Sequence, residues 1–364
     1  MIAISKWAVP VGVIFALSAC GGAGAPFGAP AIGQPDSATS AQMAPACAAV
    51  RAGLARCGTL VRPATGSVTG YGPADLQAAY ALPSTTQGTG QIVAIVDAFD
   101  NPNAADDLAG YRANFGLPAA TFAKYNQRGK QSGYPTADVG WGTEIDTDIE
   151  LVSATCPLCT IYLVEAKSNT WRDLDLAELE AVKLGATIVS SGFSGTGADE
   201  HAFSRKGITY LASSGNPGIE PASFPEVVAV GGTTLTPAQN PRGWKEAPWG
   251  GSGGCTTFPK PSWQHDDACG FRMMNDVSAV ADPSTGVAAY DTYGEQGWIE
   301  IGGTSVPTPI VAGVFGLAGN ATKQNGGRTF WTTAHHKFLN TIVGVKGHYS
   351  ATTGWGTPIG TGAF

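Results

Sequence analysis

Charge is what this sequence has least of. Asp, Glu, Lys and Arg make up 13% of its 364 residues, and 21 basic against 28 acidic side chains leave a net charge of −7. So low a charge count is unusual for a soluble protein. It suits an acidic medium, where carboxylates lose their charge and salt bridges fail. No basic run stands out, which argues against a nucleic-acid surface built on phosphate contacts. Long apolar runs are missing as well: the stretch from Trp7 to Ala16 is too short to span a bilayer. No internal repeat occurs. What is abundant is apolar and turn-forming. Hydrophobic residues at 43% allow a sizeable core, and 50 glycines with 24 prolines imply many tight turns.

Lys6, the apolar run after it and Leu17-Ser18-Ala19-Cys20 have the layout of a signal peptide. Leu-Ser-Ala-Cys resembles a bacterial lipobox, in which Cys20 becomes the lipidated first residue; the alternative is an ordinary signal cut near Ala19. Residues 1–19 are thus expected as a lipoprotein signal. Residues 20–67 are expected as a lipid-anchored flexible linker with a small Cys loop at the domain entrance, and 68–364 as the folded domain. The chain is expected to be exported, either anchored at the cell surface or in the periplasm, or secreted. Of seven cysteines, setting Cys20 aside leaves six, an even number in an oxidising compartment. Proximity pairs Cys47 with Cys57, Cys156 with Cys159, and Cys255 with Cys269. Cys156-Pro-Leu-Cys159 could also be a redox pair or half a metal site, but no second Cys-x-x-Cys or His pair completes a zinc set, so no metal is expected.

Short β-branched runs alternate with helical spacing. Strands are expected at Gln91–Asp97, Thr160–Val164, Thr187–Ser190, Ile208–Ala212 and Val227–Val230. Helices are expected from Asn101, as a cap, to Phe115, over Thr143–Ala154, and over Trp171–Leu184, where Gly185 ends the periodicity. Leu235 to Phe271 reads as a long irregular excursion held by Cys255 and Cys269. The alternation implies an α/β fold, a doubly wound and mostly parallel sheet with helices on both faces, its sites at the carboxyl ends of the strands.

The chemistry gathers in two distant stretches, Glu144-Ile145-Asp146-Thr147-Asp148 and Gly302-Gly303-Thr304-Ser305. A serine hydroxyl is a poor nucleophile until a base takes its proton. Histidine is the usual base, yet none of the five here lies in a His-Gly-Thr setting between the first strand and Ser305. Glu144 and Asp148, four apart, share one helix face about 5–6 Å from each other, while Asp146 and Glu150 project elsewhere. Two close carboxylates resist double ionisation and can share a proton, so Glu144 can take the Ser305 proton while Asp148 holds it in place. A glutamate base works in acid, where histidine is already protonated. The plainer alternative for the pair is a solvated helix face.

Glu-x-x-x-Asp followed by Gly-Thr-Ser-x-x-x-Pro resembles the sedolisin family of serine-carboxyl peptidases. So do Gly70-Tyr71-Gly72-Pro73-Ala74-Asp75-Leu76, Asp276-Val277-Ser278-Ala279-Val280-Ala281-Asp282-Pro283 and Thr353-Gly354-Trp355-Gly356-Thr357-Pro358. The resemblance implies a subtilisin-like fold and a Ser-Glu-Asp triad of Ser305, Glu144 and Asp148. It also implies an oxyanion hole of Asn216 and the Ser305 N–H, and an acid at Asp97 behind the triad (otherwise a strand-end cap). Ser190, Ser191 and Gly192 fall where substrate backbone would pair, or form an ordinary glycine-rich turn. The family has aspartate where Asn216 stands. Since Asn donates a hydrogen bond at any pH, activity is expected to reach a less acidic pH. Thr341 and Ser350 stand where the family's Ca²⁺-binding aspartates belong, so calcium is not expected there. No redox or nucleotide cofactor is implied. The expected partners are protein or peptide substrates, with a membrane held through Cys20 and a monomeric chain. The implied activity is acid-acting endopeptidase. The rivals are a catalytically impaired surface lipoprotein that binds peptides and a tripeptidyl exopeptidase.

Overall fold

The computed structural model describes residues 43–62, 66–215, 220–331, 336–342 and 348–364. The signal, Cys20, most of the tether and Asn216 lie outside the described residues. In chain order the main elements begin with β1 (Ala44–Pro45), β2 (Arg56–Cys57), β3 (Thr59–Arg62), α1 (Pro73–Ala79), β4 (Ile92–Ala98), α2 (Ala104–Asn114), β5 (Thr121–Asn126) and α3 (Val139–Thr155). Next come β6 (Thr160–Ala166), α4 (Trp171–Lys183), β7 (Ile188–Ser191), β8 (Phe193–Ser194), β9 (Thr209–Ser213), β10 (Val227–Pro237), β11 (Trp244–Pro248) and β12 (Gly254–Pro259). Last are β13 (Phe271–Met274), β14 (Val277–Val280), β15 (Val287–Asp291), β16 (Gly297–Gly303) and α5 (Pro307–Ala318).

The central sheet runs β11-β10-β9-β7-β4-β6-β5, with β14 also on β10. Its strands are parallel except β11, which pairs antiparallel with the far end of β10. Period-2 alternation divides each strand between two cores. Val93, Ile95, Ile161, Ile188 and Val228 face one side with α3 and α5 residues, whereas Ala94, Val96, Val189, Val227 and Ala229 face the other with Leu174, Ala177 and Ala181 of α4. Helices thus cover both faces, in a subtilisin-like, doubly wound fold. Strand β4 lies between β6 and β7, with later strands added on either side, so its carboxyl end opens at the switch point of the sheet.

The expected strands are all present. The helix expected from Asn101 starts three residues later: Asn101 Oδ1 accepts from the Asn103 N–H at 2.8 Å, and its amide turns to Asp146. The stretch from Leu235 to Phe271 is not irregular throughout. Strand β10 runs on to Pro237, β11 folds back on it, and β12 pairs with β13. Three disulfides join Cys47 to Cys57, Cys156 to Cys159 and Cys255 to Cys269. Residues 43–62, read from the sequence as a tether end and entrance loop, are built into the body: β3 pairs with β1 and with β16 in a four-stranded sheet. No helix among the described residues is long and apolar enough to cross a membrane.

Candidate active site

Helix α3 starts at Asp138, whose carboxylate caps the Trp141 N–H at 3.0 Å. From Trp141 to its end every residue is buried, and Glu144, Asp146, Asp148 and Glu150 are each 0% exposed. A solvated helix face is therefore excluded. Ser305 lies in the turn between β16 and α5, whose Pro307 occupies the first helical position, where a missing N–H costs nothing. Gly303 before it has φ +100°, and a Cβ there would run into the carbonyl oxygen of Gly58. The local fold thus needs glycine at that turn.

The Ser305 hydroxyl points at Glu144 Oε1, with the Gly192 carbonyl oxygen 2.7 Å away as a second acceptor. Carboxylate oxygens of Asp97, Glu144 and Asp148 lie within 4.8 Å of one another. Asp97 is brought there by the carboxyl end of β4, where it is fully buried and neither oxygen has a hydrogen-bond partner among the described residues. Backbone passes very close: a Cβ on Gly192 would collide with Glu144 Oε1 and sit 2.9 Å from Asp148 Oδ2. Burial pushes Glu144 up to about 7, against the downward pull of the Ser305 hydroxyl and of Thr59 and Gly58. Burial, then the neighbouring Glu144, drives Asp148 well above the usual carboxylate range, and burial with Asp148 and Glu144 does the same to Asp97. Among the described residues no Lys or Arg forms an ion pair with any of the three. Without a cation they cannot all ionise, and they titrate as a proton-sharing group. In that state an anionic Glu144 can accept a proton from Ser305.

Ser190 lies inside β7, paired with both β4 and β9, and Ser191 pairs with Ala212 of β9 alone. The Ser191 hydroxyl donates to Glu178, which burial raises to about 8. An added strand instead finds its place at β8. There Arg56–Cys57 pairs antiparallel with Phe193–Ser194. Residues 43–62 form a strap across the cleft, closed by Cys47–Cys57 and by Ala55 and Asn169, which bond in both directions at 2.9 Å. The Gly58 N–H donates to Ser305 Oγ at 2.9 Å. Beside the strap a cavity of about 360 Å³ remains, lined by Arg51, Leu54, Arg56, Thr196, Trp249 and Thr304. Sequence reasoning placed the Cys loop near the domain but not in the site; Thr59-Leu60-Val61-Arg62, a short β-prone run, was the available signal.

The calcium site that the sedolisin resemblance implies does not fit the residues present. No Asp or Glu occurs after Glu300. The Ser350 hydroxyl is 2.8 Å from that of Thr352, in a turn closed by two backbone bonds between Ser350 and Gly354. Thr341 is exposed, and residues 343–347 lie outside the described residues.

No protein-family model matches the chain. It is similar to kumamolisin of Bacillus sp. (strain MN-32), 29% identical over 295 residues, covering 67% of this chain and 51% of that protein. It is also similar to sedolisin of Pseudomonas sp. (strain 101), 26% identical over 359 residues, covering 82% of this chain and 60% of that protein. The chain therefore spans little more than half the length of these relatives. A solved structure of Pseudomonas sedolisin, described as a serine-carboxyl proteinase with two molecules of pseudo-iodotyrostatin, superposes with a TM-score of 0.67 at 22% identity, covering 81% of this chain and 96% of that one. These likenesses establish the subtilisin-like fold and support the sedolisin family.

Proposed function

We propose that this chain is a serine-carboxyl peptidase of the sedolisin kind, an exported endopeptidase acting on proteins or peptides in acid. The observation that carries the proposal is the Ser305 hydroxyl directed at Glu144 inside a buried group of three carboxyls that pairs with no described histidine, lysine or arginine. Glu144 takes the hydroxyl proton as Ser305 Oγ attacks the substrate carbonyl. The leaving amine receives that proton, and a water activated by the same glutamate releases the acyl group. Asp148 and Asp97 hold the remaining protons, so that charge moves within the group instead of being created in an apolar site. The Ser305 N–H, beside the start of α5, and the Asn216 amide serve the oxyanion. Cys20 is the membrane anchor, the chain acts as a monomer, and no metal takes part in the reaction.

Substrate must displace the strap. Arg56–Cys57 holds the pairing edge of β8, and the Gly58 N–H occupies a lone pair of the nucleophile. The strap also favours a second reading, a surface protein whose cleft stays filled and does not cut. Acylation by an activated ester, read by mass spectrometry on the intact chain and on a Cys47→Ser, Cys57→Ser chain, separates the two. The peptidase reading expects an adduct on the peptide carrying Ser305, stronger in the opened chain and absent in Ser305→Ala. A folded, opened chain that never acylates supports the second reading.

A further inference from the structure

Helix α3 carries a second acidic group on its other side. Oxygens of Asp107 in α2, Asp146 in α3 and Asp291 at the end of β15 lie within 4.8 Å of one another. All three are buried, Asp146 and Asp291 at 0% and Asp107 at 1% exposure. Asp107 accepts from the Thr292 hydroxyl at 2.6 Å and its N–H at 3.1 Å. Asp291 accepts from the Thr143 hydroxyl at 2.6 Å and from the Tyr293 and Gly294 N–H groups at 2.9 and 2.7 Å. Both oxygens of each carboxyl are thus already hydrogen-bonded, and burial holds Asp107 above the usual carboxylate range against the pull of Thr292. Asp146 takes one bond, from the Asn101 amide at 2.7 Å, and its Oδ1 has no partner among the described residues. Glu150 Oε1, next on the same helix face and fully buried, also has no partner among the described residues. No described Lys or Arg pairs with any of these acids.

We propose that Asp107, Asp146 and Asp291 form a binding site for a hard divalent cation, Ca²⁺. The donor set is oxygen only, with no Cys or His, which selects Ca²⁺ or Mg²⁺ over zinc. Oxygens bound about 2.4 Å from a common ion lie no more than about 4.8 Å apart, a limit these three meet. Ca²⁺ accepts an irregular set, whereas Mg²⁺ requires a near-ideal octahedron. Thr292 above the group is exposed, and its hydroxyl meets Asn103 at 2.9 Å, so the site lies directly beneath a surface loop that can admit the ion. A bound ion would tie α2, α3 and the β15 end together. Strand β16, paired along β15, leads to Ser305, and α3 carries Glu144. The ion would therefore fix the two arms of the reactive pair relative to each other. The site stands whether or not the peptidase reading holds, because its test is binding.

The test is calcium titration of the chelator-treated full chain, with Tb³⁺ emission excited through nearby tyrosine as a second probe. At pH 7 one Ca²⁺ per chain is expected, raising the unfolding midpoint by about 5 °C. The rise should shrink at pH 4, where protonated carboxyls no longer ligate. Asp146→Asn should weaken binding at least about tenfold, and Asp107→Asn, near the surface and less burdensome to folding, should do the same. Asp97→Asn should leave binding in place. Absence of a calcium-dependent shift in the unaltered chain overturns the proposal and leaves a group held by shared protons. Binding that persists undiminished in Asp107→Asn or Asp146→Asn places the ion elsewhere and overturns it equally. A site that prefers Mg²⁺ contradicts the choice of ion.

Discussion

Helix α3 carries four acids in seven residues, and its two sides treat them differently. Glu144 and Asp148 face β4 and the turn at Gly192, where Asp97 joins them and a serine hydroxyl points in. Asp146 and Glu150 face α2 and the β15–β16 hairpin, where Asp107 and Asp291 lie beside Asp146 and the threonine hydroxyls of Thr292 and Thr143 are spent on Asp107 and Asp291. Both groups are buried without a basic partner among the described residues, so composition alone does not separate them. What separates them is what each group faces. A hydroxyl held by a glycine turn gives one side a proton to move. Two oxygens without a described partner, under the exposed Thr292, give the other side the features on which the proposed ion site rests. Burial makes the charge state of each group depend on a proton or a cation supplied at the right place.

The sharpest way to break the contrast is at the first group. Glu144→Gln and Gly192→Ala, the latter driving a methyl group into Glu144 and Asp148, should each lower hydrolysis by about 10³-fold or more, while Glu150→Gln on the opposite side should not. Rates on an unfolded protein substrate, with circular dichroism to confirm folding, check this. A smaller effect is expected from the strap. Opening it with Cys47→Ser and Cys57→Ser should raise turnover about tenfold, because the fraction of chains with a free β8 edge and a free Ser305 lone pair increases. An unchanged rate would mean that the strap leaves the cleft as readily when it is stapled.

Stability should follow pH with a sign opposite to that of most proteins. Glu144 is raised from 4.5 to about 7 and Glu178 from 4.5 to about 8. Between about pH 4.5 and 8 the folded chain then holds more protons than the unfolded one, so stability is full below 4.5 and is lost as pH rises through 7 to 8. Thermal unfolding of Ser305→Ala should give its highest midpoint near pH 4, and a midpoint that rises toward pH 8 without calcium would contradict the buried, uncompensated acids. For the rate, the acidic limb of kcat/KM should fall between the ordinary glutamate value of about 4.3 and about 7. Burial is what raises Glu144, and the Ser305 hydroxyl, Thr59 and Gly58 pull against it. The smallest effect is expected at Asn216. Asn216→Asp should move the alkaline limb toward acid by about one pH unit, since an aspartate must stay protonated to donate.

The sequence revealed the main sheet and helices because each strand is a short β-branched run and α4 keeps its period. Glu144, Asp148 and Ser305 stand out through local spacing and family resemblance, and the fold brings them together. The sequence did not reveal Asp107 or Asp291. They lie 39 and 145 positions from Asp146, on elements with no pattern of their own pointing to it, and only the packing of the β15–β16 hairpin brings them together. Strand β5, half-buried at the sheet edge, has too little alternation to stand out. The strap was missed for a related reason. A two-residue strand such as Arg56–Cys57 has no signal apart from the edge it completes, and a Cys pair ten residues apart says that a loop closes but not what it covers.

The most direct test of the central claim, that Ser305 works with a glutamate base, is hydrolysis of an unfolded protein from about pH 3 to pH 8. The full chain and its Cys47→Ser, Cys57→Ser form would be compared, each with and without Ser305→Ala and Glu144→Gln. The expected result is cleavage, stronger in the opened chain, that disappears in both active-site variants. Cleavage that survives either substitution, or a correctly folded opened chain that cuts at no pH, would contradict it.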